Sequence, residues 1–199
     1  MDGGFGRVGT LAAGFGNGTF GTPPLVEAAD KKTFFHNNIC TTIECAVEFY
    51  VTAEFNNSPS GLLLRSLPPF QPLNLGQFEI FSISAFLRVI NALENIRAAT
   101  EKLESGRSLS DLPGRRLGHA RNIFKLAVAD INDAYRVLNE GKDAQFKPNG
   151  LHPEARALLQ YAKDNCAMVE SARSRAERNY RIAEAINALA AAKKEIVKP

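Results

Sequence analysis

The composition of this chain breaks near residue 75, and that break limits what it can fold into more than any single motif. Eight of the fifteen glycines crowd between Gly3 and Gly21, and prolines recur at Pro23, Pro24, Pro59, Pro68, Pro69 and Pro72. Glycine and proline punctuate regular structure, so this first part reads as loop-rich with one short helix. Such a backbone buries few apolar contacts against its conformational entropy and is expected to need a partner surface to wrap. Beyond residue 75 the pattern is helical.

Length and charge narrow the class. With 199 residues, 45% apolar and 23% charged, the chain suits a globular protein with one substantial core or two small ones. The net charge of +3 is small, and Lys and Arg are interspersed with Asp and Glu. A dense basic stripe, which binding to a phosphate backbone requires, is therefore missing, and no nucleic-acid partner is expected. No apolar run approaches the ~20 residues that span a bilayer, so no membrane span is expected either. The start, Met1 to Phe20, has neither a charged n-region nor an apolar h-region and does not read as a secretory signal. The three cysteines, Cys40, Cys45 and Cys166, are odd in number and cannot form a complete disulfide framework. The spacing of the first two suits neither a thioredoxin-type pair nor a common zinc knuckle, and all three read as small, semi-buried thiols.

Periodicity supplies the helices. Thr41-x-x-Glu44 fits a capping box, and Ile43, Ala46, Val47, Tyr50 and Val51 recur at helical spacing, which puts Tyr50 on the buried stripe. A second helix is expected from Leu75 to about Glu104. Its first half, Phe78 to Ile90, is apolar nearly all round and calls for burial on several sides. Ser105-Gly106 should stop it, and Pro113 should open the next helix. There Leu117, Ala120, Phe124, Ala127, Val128, Ile131, Ala134, Tyr135 and Leu138 make one stripe that ends at Gly141. A last helix from Pro153 toward Lys194 could reach on the order of 60 Å if unbroken. The last two helices are expected to form an antiparallel hairpin docked on the second.

The chemistry-bearing residues lie in the loop-rich part. Thr22-Pro23-Pro24-Leu25 is a stiff turn, because proline fixes its own backbone and biases the residue before it. Phe34-Phe35-His36-Asn37-Asn38 follows, and then Thr42-Ile43-Glu44-Cys45-Ala46-Val47-Glu48-Phe49-Tyr50. Over roughly residues 14 to 100, these segments resemble the haem-facing portion of a di-haem cytochrome c peroxidase, including the MauG-like branch of that family. The family pattern reads T-P-x-L, then Y/F-F-H-D/N-G/N, then T-L/I-E-x-A-V, on the C-terminal side of the second haem's attachment motif. Departures are clear: Asn38 stands where the family often has Gly, Cys40 and Cys45 are unusual there, and the helices after residue 106 extend beyond the minimal domain. The attachment motif Cys-x-x-Cys-His occurs nowhere in the sequence, so this polypeptide alone is expected to bind no haem covalently.

The resemblance implies roles for particular residues. Tyr50, fourteen residues after His36, falls where the family places a distal ligand to the second haem iron, commonly Met and in the MauG-like branch Tyr. A phenolate there would favour ferric iron relative to a thioether. The alternative is a core tyrosine with a hydrogen-bonded hydroxyl. His36, ordinarily the first residue suspected of metal ligation, is implied to sit beside the haem, orienting a loop or a propionate, with Thr22 and Pro23 in the same wall. A loop histidine of this kind is otherwise structural or solvent-exposed. His119 and His152 carry no such implication, and His152, just before Pro153, reads as a residue that opens a helix. No hydrolase, kinase or dinucleotide-binding motif competes, and no catalytic residue is assigned within the chain.

The implied whole is mainly α: residues 1–105 form the C-terminal half of a cytochrome c-like domain, loop-rich with one short and one long helix, and residues 106–199 form a helical extension. Haem c belongs to the intact family, whose reaction is the reduction of hydrogen peroxide or a related oxidation in the periplasm. The peroxidatic haem, its acid–base residues and the attachment motifs would lie upstream, and Met1 would then be an internal start. The expected partners are these missing N-terminal haem domains or a separate haem-carrying chain, together with an electron-donor protein. The alternative reading is a non-enzymatic helical interaction protein without haem, binding through the apolar helix at Phe78 to Ile90.

Overall fold

The computed structural model describes residues 25–35, 38–66, 73–110, 116–141, 143 and 145–198. These residues are mainly helical and contain no β-strand. Isolated bridges pair Phe34 with Cys40 and Asp143 with Lys147. The chain divides into two compact units, Met1–Phe86 and Leu87–Pro199. That division falls inside a helix, where sequence reading had put a boundary between residues 105 and 106.

The first unit holds more regular structure than the one short helix expected of it. A single 3-10 turn at Ala28–Asp30 is followed by α1 (Ile43–Phe49), α2 (Ala53–Asn56), α3 (Pro59–Ser66) and the start of α4 (Gln77–Ser110). Hydroxyl caps explain the extra helices. Thr52 accepts from the Phe55 amide at 3.3 Å and opens α2. The Ser58 hydroxyl accepts from Gly61 N at 3.1 Å, and Pro59 supplies a preset first residue for α3. The two elements meet closely at Gly61, where any Cβ would lie 2.2 Å from the Phe55 carbonyl oxygen. α1 is capped by Thr42, one residue later than the capping box predicts. Thr42 has the extended backbone that a cap needs, and its hydroxyl accepts from Cys45 N at 3.1 Å.

The second unit comprises the rest of α4 with α5 (Arg116–Glu140), α6 (Pro153–Ser171) and α7 (Arg175–Ile196). Each helix runs antiparallel to the next, as the residue pairs that cross between them show. Lys102 pairs with Asp130 and Gly106 faces Phe124 between α4 and α5. Lys125 pairs with Glu170 and Arg156 with Asn139 between α5 and α6, and Tyr161 pairs with Glu184 and Asn165 with Arg181 between α6 and α7. In every pair a later residue meets an earlier one in reverse order. Arg178 donates to the Ser110 carbonyl at 3.3 Å, which brings α7 back to the end of α4.

The predicted α5 stripe forms part of the core of this unit, to which α6 and α7 add their own buried faces. Ala120, Phe124, Ala127, Ile131, Ala134 and Leu138 of α5 are buried, as are Leu159, Ala162, Cys166 and Val169 of α6 and Ile182, Ala185, Leu189 and Ala192 of α7. Alanine at so many of these positions lets the helices approach closely.

Two expectations about this unit are corrected. Gly106 does not stop α4, which continues to Ser110. The Phe124 ring occupies the space beside Gly106, and a Cβ there would lie 2.5 Å from Phe124 Cε1. The last helix is not continuous either: it breaks between Ser171 and Arg175. Ser174 caps the new start, accepting from Glu177 N at 3.1 Å, while the Glu177 carboxylate accepts from Arg173 N at 2.9 Å. The expected two-helix hairpin is thus three antiparallel helices.

Candidate functional site

Tyr50 closes α1, and its surroundings are set by the turns on either side. After Phe49 the chain turns at Thr52 into α2, which returns Phe55 to the same place. The Phe55 ring lies 4.9 Å from Tyr50, and Phe49 lies 6.0 Å from Tyr50 and 5.8 Å from Phe55, all between centroids. Phe35 comes from the preceding loop and stands 4.7 Å from Phe49 and 6.0 Å from Tyr50. Four rings therefore form one apolar box, in which Phe55 is buried and Tyr50 half-buried. Tilted and edge-to-face arrangements of this kind suit the ring quadrupoles.

The loop that delivers Phe35 is held in an unfavourable backbone shape. Phe35 has φ 64° and Asn38 φ 55°, a left-handed region that suits Asn but costs a bulky residue such as Phe. Asn38 N donates to the Phe35 carbonyl at 3.2 Å and Phe34 N to the Cys40 carbonyl at 2.8 Å, which fixes a tight turn. A disulfide from Cys40 to Cys45 then ties this turn to the first turn of α1. The reading of these two residues as free thiols is corrected: the fold sets their Cα atoms 5.5 Å apart, inside the range a disulfide needs. Cys166 is the free cysteine among the described residues. Burial in the helical core pushes its thiol up to about 12, so it is inert at neutral pH.

Burial also raises the Tyr50 hydroxyl above its ordinary value, so without a cation nearby Tyr50 is a neutral phenol. Serving as a phenolate ligand would require a metal cation close enough to offset that desolvation. Among the described residues no group of three or more His, Cys, Asp or Glu side chains could hold a metal ion by itself. Three of the other residues that sequence reading singled out, Thr22, Pro23 and His36, lie outside the described residues. His119 is exposed on α5, and His152 precedes α6 with a left-handed backbone, φ 45°.

The apolar first half of α4 is only partly buried. Phe78 and Phe86 are each 60% exposed and Ile83 is 39% exposed, whereas the buried positions along this face-forming stretch include Ser84 and Arg88 beside Ile80. The buried polar line continues with Asn91 and Asn95. Positions 84, 88, 91 and 95 follow the helical period, so this line was detectable in the sequence once polar residues were allowed to face inward. A groove of about 220 Å³ in the second unit is lined by Phe124, Lys125, Val128, Cys166, Ala167 and Glu170, and it includes no residue of the Tyr50 box.

No protein-family model, curated protein or solved structure matches the chain.

Proposed function

We propose that this chain is the C-terminal part of a di-haem cytochrome c peroxidase-like oxidoreductase, a half cytochrome c domain followed by a helical extension. The observation that carries the reading is Tyr50, fourteen residues after His36 and held at the end of α1 inside a box of Phe35, Phe49 and Phe55. An oxygen donor at the end of a helix and packed among aromatic rings suits the distal side of a haem. When bound, that c-type haem would supply one-electron transfer toward a peroxidatic centre carried elsewhere. The chain's own rings pack around Tyr50 and partly desolvate it, while Thr22, Pro23 and His36 belong to the wall that the resemblance implies. The Cys40–Cys45 disulfide supports an oxidising compartment such as the periplasm.

The test joins this chain to the haem-bearing part of a di-haem cytochrome c peroxidase and expresses the fusion with a c-type maturation system. Tyr50→Phe should then alter the ferric absorption spectrum. A spectrum and potential indifferent to that change would return Tyr50 to the role of a core residue. The chain expressed alone should show no haem-staining band after denaturation.

A second reading is favoured by a separate observation, the exposure of Ile83 and Phe86 on α4. In this reading the chain is a non-enzymatic helical interaction protein that docks a partner on that face. The fusion separates the two, since a haem ligated through Tyr50 belongs only to the first.

A further inference from the structure

We infer that the Cys40–Cys45 disulfide is a thiol-reversible clasp that holds Phe35 in the Tyr50 box. Four observations meet at this point. The disulfide joins the loop to α1; the Phe34–Cys40 bridge carries its hold back along the chain; Phe35 sits in a left-handed backbone that it would not adopt by preference; and the Phe35 ring packs on Phe49 and Tyr50. A residue kept in a sparsely populated conformation stays there only while its surroundings insist on it. Here the insistence comes from one covalent link, two backbone hydrogen bonds and the packing of the ring itself. The inference concerns the chain by itself and does not depend on haem.

The two sulfurs are unequal. Cys40 is buried at 2% exposure, whereas Cys45 is half-buried on the first turn of α1. A dithiol reductant, small or protein-borne, would reach Cys45 first. Its thiolate attacks Cys45 Sγ, the S–S bond breaks, and Cys40 leaves as a thiolate that takes up a proton. The reductant's second thiol then attacks its own sulfur in the mixed disulfide and releases Cys45 as a thiol. In total the pair gains two electrons and two protons, and the dithiol becomes a disulfide. Freed from α1, Cys40 no longer anchors its bridge to Phe34, and Phe35 leaves the box.

Lys31 and Lys32, exposed just before this turn, provide the readout. In denaturant the air-oxidised full chain should titrate one thiol, that of Cys166; three would overturn the inference. Dithiothreitol should speed tryptic cleavage after Lys31 and Lys32 at least about tenfold, with helical circular dichroism and cleavage in the second unit unchanged. An unaltered rate would overturn it. Reoxidation should restore slow cleavage, and failure to do so would mark the disulfide as a folding staple and overturn the claim of reversibility. A variant with Cys40→Ala and Cys45→Ala should be cleaved quickly with or without reductant. Should that variant not fold, the reductant titration of the natural chain decides alone.

Discussion

The two units of this molecule solve the same problem by different means. In the second unit, α5, α6 and α7 each turn one apolar stripe inward, and side chains such as Leu103, Phe124, Ile131, Leu159, Ile182 and Leu189 lose essentially all contact with water. In the first unit the buried apolar side chains among the described residues are Ala29, Cys40, Ile43, Phe55 and Ile80, and a disulfide and a chain of hydroxyl caps carry much of the order. Periodic burial gives a unit sufficient hydrophobic stabilisation of its own. The first unit relies on a disulfide and aromatic contacts around Tyr50, and its part of α4 leaves Ile83 and Phe86 exposed.

The sharpest way to break that contrast is to remove a large side chain from each unit. Phe124→Ala should cost about 3–5 kcal/mol, because it takes a fully buried ring from between α4 and α5 and leaves a cavity. Urea unfolding followed at 222 nm measures it. Phe55→Ala should leave that main helical transition nearly unmoved and instead lower the near-ultraviolet aromatic signal. Equal losses of helical stability from the two substitutions would mean that the units share one core.

A smaller effect tests how α4 passes through Gly106. Alanine there has a helix propensity better by about 1 kcal/mol, which favours the substitution. Its Cβ, however, would lie 2.5 Å from Phe124 Cε1 and within 3.0 Å of two further ring atoms, and overpacking of that kind costs about 1–3 kcal/mol. The clash should win, so Gly106→Ala should lower the melting temperature, and Phe124→Leu in the same chain should recover part of the loss. An increase in stability would mean that the ring moves aside freely.

What the sequence revealed follows the same division. Most of the α5 stripe was legible, Val128 and Tyr135 being only half-buried and Val137 unnamed, because a period of 3.6 leaves its mark wherever one face of a helix is dry. Gly106 was misread because a Ser-Gly pair usually ends a helix, and only the position of Phe124 reveals why it does not do so here. The break before Arg175 had a signal in Ser174-x-x-Glu177, but no glycine or proline drew attention to it. At the candidate site, Tyr50 was legible from its distance to His36 and from the helical pattern of α1. Its box was not, since Phe35 reaches it through a left-handed backbone that bulky residues rarely adopt, and an odd cysteine count obscured a bridge between two of the three. The inward polar line from Ser84 through Asn95 was hidden because the apolar residues of α4 recur nearly all round the helix and mark no single inward face.

Below these effects in stability, though not in association, stands the exposed face of α4. Replacing Ile83 and Phe86 together by Ser should change stability by no more than about 0.5 kcal/mol for each exposed position. It should also abolish binding of a hydrophobic dye and any self-association seen by sedimentation, since large exposed apolar side chains drive both. Unchanged dye binding would place the apolar surface elsewhere and remove the main support for a partner on this face.

The smallest effect concerns the second unit alone and has a definite sign. His152, at the start of α6, has its imidazole pushed below the ordinary histidine value, first by burial and then by the positive charge of Lys147, while the Glu195 backbone and the Glu154 carboxylate oppose the shift. The unfolded chain therefore binds a proton at this site more readily than the folded one. Stability is at its full value above the unfolded histidine value of about 6.5 and declines as pH falls through it toward the lower folded value, where the penalty is complete. His152→Gln, which cannot charge, should flatten this part of the profile between pH 7 and pH 5 in urea titrations. His119→Gln, at an exposed position on α5, serves as the control. If the two variants gave the same slope, the acid sensitivity of the helical unit would have to come from its carboxylates, and the junction at His152 would be no more than a turn that α6 happens to follow.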